Sequence, residues 1–390
     1  MSGSPAPSGS APWSLSLLSN QYPALHGLRA LAIVSVLQVH VTVVLQGSRV
    51  LNDLSIAYYS SKIWFGMDLF FVLSGFLIGS LLLSENTHGT KSIARFYVRR
   101  AFRIVPLYWV LLTFFWFTLR PEVRLSQNWF EYLYFTNYFP RGFMPVMPYA
   151  WSLAVEEHFY IAVPLLVLVL QKLTSHRARM ITLGLLWFSA LAVRHGLYWY
   201  YPRPWTSLEL FRWVYITTHT RYDTLIAGVM MAYAVRHFRE ELSSIYARTF
   251  PRLASYTLAL ACLVALMTPR EAMGPTHWSL FAWGTITSVM YAALILPLLL
   301  GPKTWFVRAL SARFWLPLAT LGYGVYLVHI PLMDHVIKWC SLGLLFGHYS
   351  QRPLWLLSLV LLCLTSWSVA YLLHLVIEKP ALWLRDRWAP

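Results

Sequence analysis

Apolar residues run in long stretches along this chain, and most polar residues collect between the stretches. A transmembrane helix needs about 20 mostly apolar residues, so each long stretch predicts one membrane span. The pattern therefore predicts an all-α fold, a polytopic membrane helix bundle of about ten transmembrane helices. The predicted spans lie near residues 24–46, 62–83, 103–119, 149–170, 180–200, 211–235, 253–268, 278–300, 314–336 and 353–377.

The spans leave little chain for a soluble domain. Residues 1–20 begin with serine, glycine, proline and alanine and lack a basic segment, which indicates a disordered leader rather than a cleaved signal peptide. Residues 21–385 are predicted to form one transmembrane domain. Residues 386–390 are predicted to be a cytoplasmic tail.

Composition supports a membrane location and excludes a nucleic-acid partner. The chain is 58% hydrophobic and only 12% charged, which is too apolar for a soluble protein of this length. Its formal charge of +16 comes from Lys and Arg that lie between apolar stretches, whereas a nucleic-acid binder gathers them on one face. The lipid bilayer is the expected partner, and the protein is expected to be a multi-pass protein of a cell membrane.

The positive charges also predict the orientation. With the N-terminus in the cytoplasm, eighteen Lys and Arg fall in cytoplasmic segments and eleven, Arg194 among them, fall on the opposite side. Cytoplasmic loops carry the excess of Lys and Arg in membrane proteins. Both termini are therefore predicted to be cytoplasmic.

Two ionisable residues interrupt the first predicted span. Arg29 and His40 are eleven residues apart, close to three helical turns, so they share one face about 16 Å apart at ~1.5 Å per residue. An ionisable side chain inside a membrane is costly and by default marks a functional path. Arg29 is predicted near the cytoplasmic side and His40 beyond the membrane centre.

Other spans carry ionisable residues too. Asp68, Glu156, Glu157 and His329 are predicted at depths comparable to that of His40. The predicted sixth span holds a further pair near its middle, and its members point to different faces and are expected to pair with other helices. The members of this pair are Arg221 and Asp223.

Charged groups also gather on the cytoplasmic side. Arg99, Arg100 and Arg103 precede the third span with spacings that put Arg99 or Arg100 on one face with Arg103. Arginine forks suit bidentate contacts to phosphate, so the cluster predicts phosphate binding. Glu378 lies at the end of the tenth span at a level similar to Arg29, which allows an ion pair between them.

Taken in chain order, these motifs closely resemble the acyltransferase 3 family of integral membrane acyltransferases. Arg29 and His40 match its Arg, ten residues, His spacing, and the chain matches its Gly-x-Asp-Leu-Phe-Phe-x-Leu-Ser-Gly-Phe and Arg-Arg-x-x-Arg segments. The matches cover roughly residues 20 to 385, with His158 and Gly324 as small departures. The other matching segments are 66–76, 99–103, 151–160, 221–228, 323–331 and 378–380.

The resemblance implies a membrane-embedded O-acyltransferase that uses acyl-CoA, with acetyl-CoA the expected donor. The implied acceptor is a hydroxyl of a carbohydrate such as a cell-surface or exported glycan. The implied location is a bacterial inner or plasma membrane, where glycan-assembly proteins are expected partners. No metal is expected, since Cys262, Cys340 and Cys363 are scattered without metal-ligand spacing.

Acyl transfer to a hydroxyl needs a base, and His40 is the predicted one. A carboxylate on its second nitrogen would hold the ring, and Asp68 and Glu157 are the candidates. The arginines at 99, 100 and 103, with Arg29 further in, are predicted to bind CoA phosphates. Ser74 could instead carry the acyl group, although the Ser-Gly-Phe segment also suits close helix packing.

Two other functions compete with acyl transfer. The intramembrane charges suit a transporter of sugars or lipid-linked intermediates with a proton relay, although no paired repeats are visible. Haem binding by His40, His329 or His374 is the second alternative. The aromatic run from Tyr198 to Trp205 predicts interfacial anchors, or else a platform for a sugar.

Overall fold

The computed structural model describes residues 22–47, 62–84, 90–138, 145–201, 207–267, 279–342 and 351–388. The predicted leader and the last two residues lie outside the described residues. The described α-helices of six residues or more, numbered here in chain order, are α1 Ala24–Gly47, α2 Gly66–Ser84, α3 Thr90–Leu119, α4 Leu125–Tyr132, α5 Trp151–Lys172, α6 His176–Tyr200, α7 Tyr222–His237, α8 Arg239–Ala247, α9 Thr249–Met267, α10 Ser279–Leu300, α11 Trp305–Leu310, α12 Trp315–Leu342, α13 Gln351–Leu373 and α14 Lys379–Trp388.

The described part of the chain confirms the all-α membrane bundle, with nine helices long and apolar enough to cross a bilayer. The sixth predicted span, residues 211–235, is broken. Phe211–Tyr215 forms a π turn, and α7 begins only at Tyr222 and has 16 residues. Arg221 therefore lies at the start of α7 rather than in the middle of a span, which corrects the predicted position.

Hydroxyl groups explain why the sixth segment breaks. Thr217 Oγ1 donates to the carbonyl of Trp213 at 3.0 Å, and Thr220 Oγ1 donates to the carbonyl of Val214 at 2.7 Å. Such bonds compete with the backbone pattern of a continuous helix. Apolar composition alone does not reveal this competition.

Two other boundaries differ from the sequence prediction. The third helix begins at Thr90 rather than near 103, so the arginine cluster lies on its first turns. The tail predicted after residue 385 continues α14 as helix to Trp388.

Helix α2 forms its most extensive contact with α7, and two glycines make the contact close. A Cβ atom on Gly75 would overlap the carbonyl oxygen of Leu225, and one on Gly228 would overlap the carbonyl oxygen of Val72. Small residues let membrane helices approach until their backbones touch. The glycine of the Ser-Gly-Phe segment therefore has the packing role considered for it.

Helix α1 packs against α2, α12 and α13. Its apolar residues Ile33, Leu37 and Val41 are fully buried. Because α1 is one continuous helix, the spacing between Arg29 and His40 is fixed by that helix alone.

Adding a methyl group at the α2–α7 contact should destabilise the bundle. Gly75→Ala is expected to lower the free energy of unfolding by about 1–3 kcal/mol, since the new Cβ has no free space. The measurement is the thermal unfolding midpoint of the purified protein in detergent.

Gly184→Ala in α6 is the matched control, because a Cβ there meets nothing within 4 Å. Its midpoint should equal or exceed that of the wild type. Equal midpoints for the two variants would refute the close contact.

Candidate functional site

A cavity of about 530 Å³ runs into the bundle beside α2. Along α2 its lining extends from Leu81 to Met67, fourteen residues or roughly 21 Å at ~1.5 Å per residue. Six arginines line it, from the first, third and last described helices. They are Arg29, Arg95, Arg99, Arg100, Arg103 and Arg385.

The arginine cavity therefore unites the residues that the sequence predicted for phosphate binding, and it adds Arg95 and Arg385. Arg100 lies over the Tyr160 ring, 5.0 Å from its centroid, and Arg103 Nη2 donates to the carbonyl of Thr320 at 3.4 Å. So many like charges around one space favour an anionic occupant.

Deeper in the cavity, the lining includes a carboxylate and two hydroxyl groups. Ser74 Oγ and Tyr160 Oη are 2.7 Å apart, and Glu156 interacts with both hydroxyls and with the charges of Arg29 and Arg100. Ser74 thus lines the arginine cavity, but its hydrogen-bond partner is a tyrosine rather than a histidine.

His40 is held by His329 of α12. His329 Nε2 and His40 Nδ1 are 3.0 Å apart, and His329 Nδ1 is 2.6 Å from the carbonyl of Tyr326. A carbonyl can only accept, so His329 Nδ1 carries hydrogen and, in an uncharged ring, its Nε2 accepts from His40 Nδ1. His40 also has a hydrogen bond to the backbone of Val36, one turn earlier in α1. With the hydrogen of His40 on Nδ1, Nε2 carries the lone pair.

The histidine pair adjoins the arginine cavity through Tyr326. The Tyr326 side chain lines the cavity, and its ring centroid is 5.4 Å from that of His329. The ring of Tyr149 contacts His329 from another side, at 5.6 Å. His329 is fully buried between these rings.

The predicted carboxylate partners of His40 lie elsewhere, which corrects that prediction. Asp68 Oδ1 is 3.3 Å from Arg221 Nη1, with both side chains fully buried. Glu157 interacts with the charges of Glu156 and Arg100. A histidine from the ninth predicted span occupies the place expected for a carboxylate.

Arg221 lies in a box of aromatic rings. Its guanidinium is 4.1 Å from the centroid of the Trp283 ring, and it faces three further rings within 5.2 Å. Aromatic faces attract a cation most strongly where water is absent. The other three rings belong to Phe71, Trp151 and Tyr215.

Asp223 pairs with Arg194, a residue that the sequence interpretation had counted among the outer-loop charges. Arg194 is fully buried in α6, with its Nη2 2.7 Å from Asp223 Oδ2. It also donates to the carbonyls of Phe281 and Thr220, so it joins α6, α7 and α10. The position of Arg194 inside the apolar stretch 180–200 is the sequence feature that could have identified it as a buried residue.

As predicted, Arg221 and Asp223 both pair with other helices. The ion pair considered for Glu378 and Arg29 differs from what the structure shows. Glu378 Oε2 is bound by Nδ1 of His374, at 2.7 Å on the same buried turn.

Outside the spans, Glu131 organises the segment that leads into α5. Its two carboxylate oxygens accept the backbone amides of Val146 and Met147 at 2.7 and 2.9 Å. Burial raises the pKa of Glu131 to about 7 despite these two donors. The carboxyl group was not among the predicted site residues.

Removing one member of the Arg194–Asp223 pair should be more damaging than removing both. Arg194→Met is expected to cost about 3–5 kcal/mol of unfolding free energy, because it leaves the Asp223 carboxylate buried and unpaired. Adding Asp223→Asn should recover part of that loss.

The double-mutant cycle is measured as unfolding midpoints in one detergent. The cycle compares Arg194→Met, Asp223→Asn and the double variant. If the loss of stability in the double variant equals the sum of the losses in the two single variants, the pair does not couple α6 to α7.

Comparison with known proteins finds relatives of this chain. Two relatives from Staphylococcus aureus are each 26% identical to the chain, over 80% of its length and 51% of theirs. One, from strain COL, has a provisional O-acetyltransferase designation, and the other, from strain NCTC 8325 / PS 47, is O-acetyltransferase OatA. The chain thus spans about half the length of these relatives. No solved structure matches it significantly.

The family comparison covers most of the chain. The sequence model of the acyltransferase 3 family, described as an acyltransferase domain, matches residues 22–375. That range includes the histidine pair, the buried ion pairs and all of the cavity arginines except Arg385. The chain is a multi-pass membrane protein that belongs to the acyltransferase 3 family.

Proposed function

We propose that this protein is an O-acyltransferase that moves an acyl group, acetyl in the simplest case, from cytoplasmic acyl-CoA to a hydroxyl of a glycan. The observation that carries the proposal is the arginine cavity, whose lining combines clustered cations with Tyr326, a ring neighbour of His329. Its place of action is a bacterial inner or plasma membrane, and glycan-assembly proteins would supply or receive the glycan.

The cavity lining suits acyl-CoA. Arg95, Arg99 and Arg103 lie on the first turns of α3, where phosphates would meet guanidinium forks. The stretch of about 21 Å from Leu81 to Met67 accommodates an extended chain behind the nucleotide. The apolar residues of α2 that line this stretch, Phe70, Leu73 and Leu77, suit the acyl arm.

His40 supplies the base. Its Nδ1 hydrogen is bound by His329, so Nε2 accepts the proton of the attacking hydroxyl. The hydroxyl oxygen bonds to the thioester carbonyl carbon, the carbon–sulfur bond breaks, and the CoA sulfur takes the proton from Nε2. His329 acts as a positioning residue, since it holds the tautomer that this transfer requires.

The route through an acyl-serine has one structural argument. Ser74 lies in the arginine cavity beside Glu156, which could accept its proton. The direct route is favoured because the histidine pair already leaves one nitrogen free to act as a base. Acylated Ser74 in protein quenched during turnover would support the serine route.

Replacing His40 should abolish transfer but not donor binding. His40→Ala is expected to lower transfer of label from radiolabelled acetyl-CoA to an envelope-glycan extract by about 10²–10⁴-fold, the usual contribution of a general base. The assay uses purified protein in nanodiscs, and acetyl-CoA binding is measured on the same samples.

His195→Ala is the matched control, since His195 is another histidine of the bundle, bound to the Leu191 carbonyl in α6. His329→Gln should retain more transfer than His329→Leu, because the amide oxygen can still accept from His40. Wild-type transfer by His40→Ala would refute the mechanism.

Removing positive charge from the arginine cavity should specifically weaken binding of the acyl-CoA donor. Arg99→Gln and Arg103→Gln are each expected to raise KM for acetyl-CoA about tenfold or more, because a hydrogen bond to a charged group contributes about 1.5–3 kcal/mol. Higher salt should narrow the difference from wild type.

Arg248→Gln is the control, an exposed arginine that does not line the arginine cavity. If acetyl-CoA does not bind to wild type, while sugar or lipid-linked flux persists in both cavity variants, the transporter alternative replaces the acyltransferase.

A further inference from the structure

A second cavity, of about 250 Å³, lies away from the clustered arginines of the arginine cavity. Its walls come from the segment before α5, the end of α6 and the broken segment before α7. The clustered arginines lie in the N-terminal half of α3, whereas Asn137 and Tyr138 come after its C-terminal end in the chain. The second cavity therefore lies toward the opposite end of the bundle.

A wall of aromatic rings connects the linings of the two cavities. Ser152 lines the inner end of the arginine cavity, and Trp213 and Ile216 line the second one. Their chain neighbours Trp151 and Tyr215 contact each other with ring centroids 5.2 Å apart. The wall is thus the aromatic box around Arg221.

Two stacked aromatic pairs contribute to the second cavity. Tyr201 and Trp213 are stacked with centroids 4.3 Å apart, and Tyr138 and His219 are stacked at 5.8 Å. Burial lowers the pKa of His219, which favours the uncharged ring. Flat apolar faces of this kind suit the C–H face of a sugar ring.

Asn137 gives the cavity a polar atom without a partner. Its side chain is only 2% exposed, and Nδ2 donates to Thr218 Oγ1 at 2.8 Å, while Oδ1 has no hydrogen-bond partner. If the amide were turned over, Thr218 would donate to Oδ1 and Nδ2 would be left instead. In either orientation one amide atom remains for a ligand, and a buried polar group left unpaired is costly.

We propose that this second cavity binds one saccharide ring of the acceptor glycan. The proposal rests on the proposed function and adds where the acceptor is held. Small-molecule sites usually occupy about 300–1,000 Å³, and this smaller cavity suits one ring rather than an oligosaccharide. The rest of the glycan would continue outward, with one hydroxyl directed at the wall toward the histidine pair.

The lining favours a particular kind of sugar. Arg212 adds a positive charge beside the polar groups of Asn137 and Thr217. A uronic acid ring matches this set, since its carboxylate meets the guanidinium and its ring hydroxyls meet the amide and the threonine. Uronic glycosides should therefore bind better than neutral ones.

The test is saturation-transfer NMR on protein in nanodiscs, with methyl glycosides of neutral, amino and uronic sugars as probes. Wild type should give signals with the uronic glycoside strongest. Asn137→Ala and Leu197→Trp, which fills the cavity, should each weaken binding at least roughly tenfold, equivalent to about 1.4 kcal/mol. Trp199→Ala, 72% exposed and outside the cavity lining, is the matched control.

Acetyl-CoA binding to each sample separates this inference from the function on which it rests. Retained acetyl-CoA binding shows that a variant is folded and that loss of glycoside signal is local. Binding of acetyl-CoA without binding of any glycoside would overturn the acceptor site and leave the donor site intact. Equal glycoside signals from wild type and Leu197→Trp would also overturn it.

Discussion

Inside a bilayer a charged side chain cannot be hydrated, so the group that hydrogen-bonds or neutralises it must come from another part of the protein. The two buried arginine–aspartate pairs show how strongly this constrains the bundle. Arg194 joins three helices through Asp223 and two backbone carbonyls, and Arg221 meets Asp68 inside its aromatic box. These contacts join α2, α6, α7 and α10.

The same constraint shapes the arginine cavity, with a different outcome. Its six guanidinium groups repel one another, and the nearby carboxylates of Glu156, Glu157 and Asp386 are too few to neutralise all of them. Such a surface is stable beside water or an anion and unstable beside lipid. The cavity is thus an interruption of the apolar bundle that a negatively charged molecule completes, while the two histidines beyond it form a hydrogen-bonded polar centre.

Sequence patterns were most informative where one helix decides the geometry. Arg29 and His40 share α1, so their spacing sufficed to place them, and the arginine cluster was visible from its i, i+3 and i+4 positions. Contacts between distant segments were not visible. His329 is 289 residues from His40, and the sequence does not show that α1 and α12 lie side by side. From the sequence alone, a carboxylate was therefore an equally reasonable partner for His40. Arg194 was misplaced because its span reaches only a few residues past it.

The sixth span shows a different limit. Hydropathy counts apolar residues, and it cannot register that Thr217 and Thr220 offer the backbone other bonds. The break matters beyond helix counting, since it exposes Trp213 and Ile216 to the second cavity and puts Arg221 at a helix start. The features least visible in the sequence therefore lie around the proposed acceptor site.

The lining of the arginine cavity draws on residues from Arg29 near the first described helix to Arg385 near the last. During synthesis the ribosome delivers these residues far apart in time, and each helix enters the membrane before the final one has left the exit tunnel. A partly made chain consequently presents α3 arginines without the α14 wall. All six arginines line the anion site only once α14 has been made and lies beside α3.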